Sequence, residues 1–304
     1  MMVPLLQSLR EGQVIHGIPM EQFYRYVGIS RQGFFRALSR RIKNQDQWEA
    51  ISQLVTTYRA GKDRRAGSRS LHKNLGIKAK FGIGISKFER LMSKNGLSLQ
   101  PLRTRVVTTR SSMQSWNYPN LVNGLSISGI SEVVVGDLSY VNIGRYRYFL
   151  FCLTDLYSAR IVGYHLGKRM RAEEAKKALE MWVALRGDGN LQGCIHHTDG
   201  GSQYFSYMYL ATLKRIGIHV SCAENCLMNG YAEQRNGLLK YHLLPTIKCR
   251  EESALNKEIE RVFHVYNFER KQEALNWLSP VEFEAKISST KDPSIKDLYK
   301  FKRD

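Results

Sequence analysis

The sequence predicts an α/β core preceded by small, basic helical modules, and three observations lead there. After Ser128, strand-like and helix-like segments alternate in the order β-β-β-α-β-α-β-α. Before that point the chain carries only helical periods, broken by glycine and by basic runs. The 304 residues hold 46 Lys and Arg against 27 Asp and Glu, a formal charge of +19. Such an excess strains a compact fold unless a polyanion neutralises part of it. Nucleic acid is therefore the first partner to consider, although a ribosome-associated or membrane-surface protein can be as basic.

Other bounds follow from composition. At 43% hydrophobic residues the chain is long enough for at least one full core and for two or three units. Its longest apolar runs are short, such as Phe149 to Leu153, against the roughly 20 residues of a membrane helix. The N-terminus lacks the basic start and apolar stretch of a secretory signal. Five cysteines, Cys152, Cys194, Cys222, Cys226 and Cys249, are an odd number that suits free thiols in a reducing compartment. The expected location is the cytoplasm, with no membrane partner.

In chain order, M-E-Q-F-Y-R-Y-V-G-I-S-R-Q-G-F-F-R-A-L-S-R-R (Met20 to Arg41) has helical spacing on both sides of V-G-I-S. Gly28 can end one helix and Ser30 can cap the next, the pattern of a helix-turn-helix. The second helix carries Arg31, Gln32, Arg36, Arg40 and Arg41, and an ordinary hairpin with a solvated basic face fits equally well. A separate helix is expected over Trp48 to Tyr58, then a basic break from Gly61 to Arg69. Ile85, Phe88, Leu91 and Met92 form one apolar helical face, with Ser86 and Glu89 spaced as a capping box. Gln100 to Ser115 reads as a polar linker. The expected domains are a helix-turn-helix-like module over 1–60, a second basic helical module and linker over 61–115, a core over 116–290 and a basic tail over 291–304.

Within the core, Ser131 to Leu138, Tyr146 to Asp155 and Ala159 to Leu166 are β-branched and aromatic runs that suggest an antiparallel meander. Arg171 to Leu185 is helical, Cys194 to Thr198 a short strand, Tyr207 to Ile216 a helix, His219 to Ala223 a last strand and Ala232 to Leu244 a long helix. This order puts Asp137 at the end of the first strand, Asp199 just past the fourth and Glu233 in the first turn of the last helix. Three such carboxylates can meet at one sheet edge and bind hard divalent cations. Two ions roughly 3.5–4 Å apart can activate a nucleophile and stabilise the leaving oxygen of a phosphodiester. The glycines after Asp199 allow a sharp turn and close approach of a nucleic-acid strand. A lone Asp at a strand end is more often a turn residue, and Asp155 in D-L-Y-S reads that way. His196 and His197 are successive strand residues facing opposite ways, so both cannot ligate one ion. The cysteines offer no paired zinc pattern.

D-L-S-Y (137–140), Y-F-L-F-C-L-T-D-L-Y-S-A-R-I-V-G-Y (148–164), H-H-T-D-G-G-S-Q-Y (196–204) and N-G-Y-A-E-Q-R-N-G-L-L-K (229–240) resemble the catalytic core of the DDE transposase and retroviral-type integrase superfamily. The likeness is closest to the OrfB-type transposases of the insertion-sequence-three family. Y-N-F-E-R-K-Q-E-A-L-N-W-L-S-P-V-E-F (266–283) is similar to that family's closing segment. G-I-S-R-Q-G-F-F and the basic stretch holding Arg64, Arg65 and Arg69 resemble its helical DNA-binding portion.

The resemblance implies an RNase H-like core, a mixed five-stranded sheet with helices, and cleavage of transposon ends followed by strand transfer. It implies two Mg2+ or Mn2+ ions held by Asp137, Asp199 and Glu233. Asp199 and Glu233 stand 33 residues apart, two fewer than is usual for the family, with Glu224 a weaker rival for the third position. Around the triad, Ser202, Gln203 and Tyr204 are candidates to touch phosphate or terminal bases, and Arg235, Asn236 and Lys240 extend from the last helix. Implied partners are double-stranded DNA (terminal repeats and target), further copies of the chain and an upstream helical protein; the implied location is nucleoid-associated. A nuclease or resolvase without strand transfer and an inactive DNA-binding regulator are the alternatives.

Overall fold

The computed structural model describes residues 20–100, 118–143, 146–223, 237–248 and 252–290. The chain forms two compact units, Met1–Thr56 and Thr57–Asp304.

In the first unit, α1 (Met20–Val27) and the start of α2 (Arg31–Gly61) flank a turn at Gly28, whose φ of +70° costs a glycine little. Ser30 caps α2, its Oγ accepting the Gly33 N–H at 3.0 Å. The rings of Tyr24 and Phe34 meet at 5.5 Å across the turn. The separate helix expected over Trp48 to Tyr58 does not exist as such, because α2 runs unbroken through it. The intervening I-K-N-Q-D-Q contains neither Gly nor Pro, and nothing there interrupts the backbone ladder.

The second unit begins with α3 (Ser68–Asn74), α4 (Ile77–Phe81) and α5 (Ile85–Lys94), whose Leu71, Ile77, Phe88 and Met92 are fully buried. Each such side chain contributes roughly 1.5–3 kcal/mol. The capping box expected at Ser86 and Glu89 is absent. Gly84 holds the cap position, Ser86 lies inside the first turn, and Glu89 pairs instead with Arg69 at 3.6 Å.

Five strands follow: β1 (Val133–Ile143), β2 (Tyr146–Asp155), β3 (Ile161–Gly167), β4 (Ile195–Thr198) and β5 (His219–Cys222). They lie in the order β3-β2-β1-β4-β5. The first three pair antiparallel, whereas β4 joins β1 and β5 joins β4 in parallel. This is the mixed sheet of an RNase H-like core. β1 extends further than its sequence suggests, pairing Asn142 with Arg147 before the hairpin turns. Asp137 therefore sits in mid-strand rather than at a strand end.

Helices α6 (Ala172–Arg186) and α7 (Tyr207–Ile216) cover one sheet face, over Val134, Phe151, Leu153, Trp182, Tyr209 and Leu213. Gly163 is obligatory there, because the Ala178 carbonyl of α6 occupies the place of a Cβ. The other face packs Val141, Leu150, Cys152 and Ile161 against the π-turn Leu239–Leu243 and α8 (Glu252–His264). Then α9 (Pro280–Ser289), opened by the Ser279/Glu282 capping box, lays Phe283 and Ile287 against Val133 and Tyr157.

The closing segment Y-N-F-E-R is a fastening. Tyr266 donates its hydroxyl to the Ala159 carbonyl at 2.9 Å. The Asn267 amide engages both backbone groups of Ile161, at 3.0 and 2.9 Å, as a further strand would. Arg270 reaches the fully buried Asp63 at 3.0 Å, and His242 meets the other oxygen of that carboxylate at 2.9 Å.

Candidate active site

The parallel ladder of β1 and β4 pairs Val133 with Ile195, Val135 with His197 and Gly136 with Thr198. The next step along both strands is Asp137 beside Asp199. Strand alternation puts Asp137 on the side of Val133 and Val135, and Asp199 continues the side of Ile195 and His197. Two carboxylates thus stand together where the parallel pairing ends, on the sheet face away from Trp182. Gly200, with φ +84°, turns the chain directly behind Asp199.

Both acids are half-buried. One Asp137 oxygen accepts the Leu138 N–H at 2.8 Å. Its cross-strand neighbour Cys152 has a thiol pushed up to about 12, by burial first and by the Asp137 charge as well. Asp199 is raised above the ordinary carboxylate value by burial, against a single counter-pull from the backbone, chiefly the Gly201 N–H at 3.2 Å. No Lys or Arg pairs with Asp199 among the described residues. Adjacent hard oxygen donors, one of them destabilised as an anion for want of a cation, fit a divalent metal such as magnesium. Among the described residues no group of three or more ligating side chains forms. Glu233, its rival Glu224, Arg235 and Asn236 lie outside the described residues.

The two histidines hold the floor of the site. His196 places Nδ1 at 3.1 Å from the Val134 carbonyl, so that nitrogen carries the proton, and Nε2 accepts the Tyr209 hydroxyl at 2.9 Å. Burial lowers its pKa to about 4, keeping it neutral. Gly136 makes room for the ring, since a Cβ there would lie 2.8 Å from His196 Cε1. His197 turns the other way and meets Ser221 Oγ at 2.8 Å. Asp155 is a turn residue, accepting the N–H groups of Ser131, Tyr157 and Ser158.

The candidate DNA contacts divide by exposure. Arg31, Gln32 and Arg36, with Phe35, Ser39 and Arg40, line an open groove of about 790 Å³ in the first unit. Arg64 is exposed, whereas Arg65 is tied to the fold, its guanidinium donating to the Gln100 carbonyl at 2.6 Å. Arg69 faces Glu89 and Glu273 in exposed ion pairs. Ser202 is exposed, but Gln203 departs from expectation: it is buried, its amide folded back over Gly201. Tyr204 is buried as well. Lys240 is exposed on the π-turn, where the wider turn breaks the spacing that would align it with Glu233 on a regular helix. Sequence reasoning missed the Asp63/His242/Arg270 cluster, whose members are up to 207 residues apart.

Residues 130–225 match the family model described as Integrase core domain. The chain is 30% identical over 266 residues to an uncharacterized 31 kDa protein of insertion element IS600 from Shigella sonnei, covering 85% of this chain and 96% of that one. It is 28% identical over 200 residues to the transposase for insertion sequence element IS904 of Lactococcus lactis subsp. lactis (strain IL1403), covering 64% and 78%. The transposase InsF for insertion sequence IS3A of Escherichia coli (strain K12) shares 32% over 167 residues, covering 52% and 56%. Among solved structures, the catalytic core domain of HTLV-2 integrase in complex with magnesium (trimeric form) aligns with a TM-score of 0.41 at 18% identity, over 51% of this chain and 96% of that one.

Proposed function

The chain belongs to the integrase-core transposases of insertion elements, and we propose that it cuts and joins DNA at a divalent-metal site built on Asp137, Asp199 and Glu233. The observation that carries this is the placing of Asp137 and Asp199 side by side at the end of the β1/β4 ladder, with Asp199 lacking a cationic neighbour. Asp137, Asp199 and Glu233 would hold two Mg2+ or Mn2+ ions. When bound, such ions lower the pKa of an attacking oxygen and neutralise the charge on the leaving one.

The protein's own contribution is placement. Asp137 is fixed by ladders on both sides, and Asp199 by the Gly200 turn. The aromatic floor under β4 excludes water from beneath the acids. Arg31, Gln32, Arg36, Arg64, Arg69, Ser202, Arg235, Asn236 and Lys240 would hold phosphates and bases. DNA reading then belongs to residues 1–60 and 61–115 and the chemistry to 116–290. Water cuts the phosphodiester at the element end, and the freed 3′-hydroxyl attacks a phosphodiester of the target, with no covalent enzyme intermediate. Two ends must be brought together, so the working form is an oligomer on DNA, with an upstream helical protein as a further partner. No described helix is long and apolar enough to cross a membrane, and we place the protein at the nucleoid.

The test is Asp199→Asn on a duplex carrying the element end. Loss of manganese-dependent cleavage and joining with an unchanged circular dichroism spectrum is expected; retained cleavage overturns the assignment.

A further inference from the structure

We propose that Tyr204 is a positioning residue of this site, its hydroxyl being the hydrogen-bond donor that orients the Asp137/Asp199 carboxylate pair. The inference rests on the metal-site reading above. Tyr204 lies in the short turn Ser202–Phe205, five positions after Asp199, and is only 2% exposed. Its ring stands edge-on to His196 at 6.0 Å and to Tyr209 at 5.6 Å, so packing holds it in place.

Its oxygen is the anomaly. Tyr209 beside it gives its hydroxyl to His196, but the Tyr204 hydroxyl is buried with no hydrogen-bond partner. The Thr198 hydroxyl, one residue before Asp199, is orphaned too. Leaving a buried hydroxyl unpaired costs roughly 1–3 kcal/mol, and phenylalanine would fill the same ring space without that cost. Packing alone therefore asks for phenylalanine, and the oxygen needs another explanation.

The surroundings supply one. Burial, then the charges of Tyr209, Asp137 and Asp199, push this phenol well above its ordinary pKa. It stays protonated at any working pH, which excludes a general base and leaves a donor. Carboxylates that turn some lone pairs to a cation keep others to be satisfied, and a donor in that position fixes their orientation.

The experiment compares the full-length wild type, Tyr204→Phe and Asp199→Asn by thermal unfolding in EDTA and by Mn2+ titration followed by electron paramagnetic resonance. For Tyr204→Phe the expected results are an unfolding midpoint no lower than wild type and Mn2+ binding weakened roughly tenfold. End cleavage should fall in kcat with KM for DNA unchanged. Wild-type Mn2+ affinity in Tyr204→Phe, with affinity lost in Asp199→Asn, overturns the role of Tyr204 while the metal site stands. A lowered midpoint for Tyr204→Phe overturns it too, because the hydroxyl would then be holding the fold. A wild type that binds no Mn2+ overturns both.

Discussion

Asp199 and Glu284 are both carboxylates drawn out of water in the same unit, yet their surroundings move them in opposite directions. Burial raises Asp199, and the backbone is all that opposes it. Burial also pushes Glu284 up, but hydrogen bonds and charge from Arg186 and Arg160 carry it below the ordinary value. Glu284 sits on α9, takes the Ser158 hydroxyl at 2.8 Å and both guanidinium groups, and so ties α9 to the start of β3 and the end of α6. Asp63 is a second case of the same kind, lowered despite burial by His242 and Arg270. Where the carboxylate closes the fold, the chain provides its own cations. At the end of the β1/β4 ladder it withholds them from Asp199, which is the condition for binding a metal and for being changed without harm to stability.

The largest effect that tests this contrast is on activity. Asp199→Asn should reduce end cleavage by at least about a thousandfold, the equivalent of roughly 4 kcal/mol, while its urea midpoint stays level or rises. A loss of stability on that scale would place Asp199 with Glu284 and dissolve the distinction. Glu284→Gln should do the reverse, destabilising by about 3–5 kcal/mol because two buried guanidinium groups lose their counter-charge. Urea unfolding measures it, and the metal affinity of the folded fraction should not change.

Next in size is the acid response. Glu284, depressed in the fold, contributes stability that is present above its unfolded pKa and lost as pH falls through the folded one. His196 acts in the same sense: the unfolded chain takes up its proton near 6.5 and the folded one only at about 4, so stability drains across that window. Urea midpoints should decline from pH 7 to pH 4, and His196→Gln should flatten the slope between 6.5 and 4. The smallest effect sharpens the comparison from outside. Arg69 and Glu89 form an exposed pair, and Glu89→Gln should change stability by less than about 0.5 kcal/mol. Filter binding would then show DNA affinity rising slightly as Arg69 is released.

The parts legible in the sequence are those whose cause is local. β2 and α7 occupy their expected residues, because alternation and helical period are properties of neighbours along the chain. The turn at Gly28 and the cap at Ser30 were legible for the same reason, and so was Asp155 as a turn residue. Asp137 and Asp199 stood out by position in the element order, although the exact place of Asp137 within β1 did not. The chemistry of Gln203 and Arg65 was misjudged as surface chemistry, since nothing in S-Q-Y or D-R-R says that the one amide folds back over Gly201 and that the one guanidinium caps the Gln100 carbonyl.

The sequence by itself determined the charge, the kinds of elements, their order and the acids. Only the tertiary structure decided which acids are partnered and which are not. Period and propensity act over a few residues, whereas the fate of a buried polar group depends on what distant segments bring to it. Arg186 and Glu284 meet across 98 residues, Asp63 and Arg270 across 207. The unpaired hydroxyl of Tyr204 is the same fact seen from the other side, because no pattern along a chain can show a donor left without an acceptor.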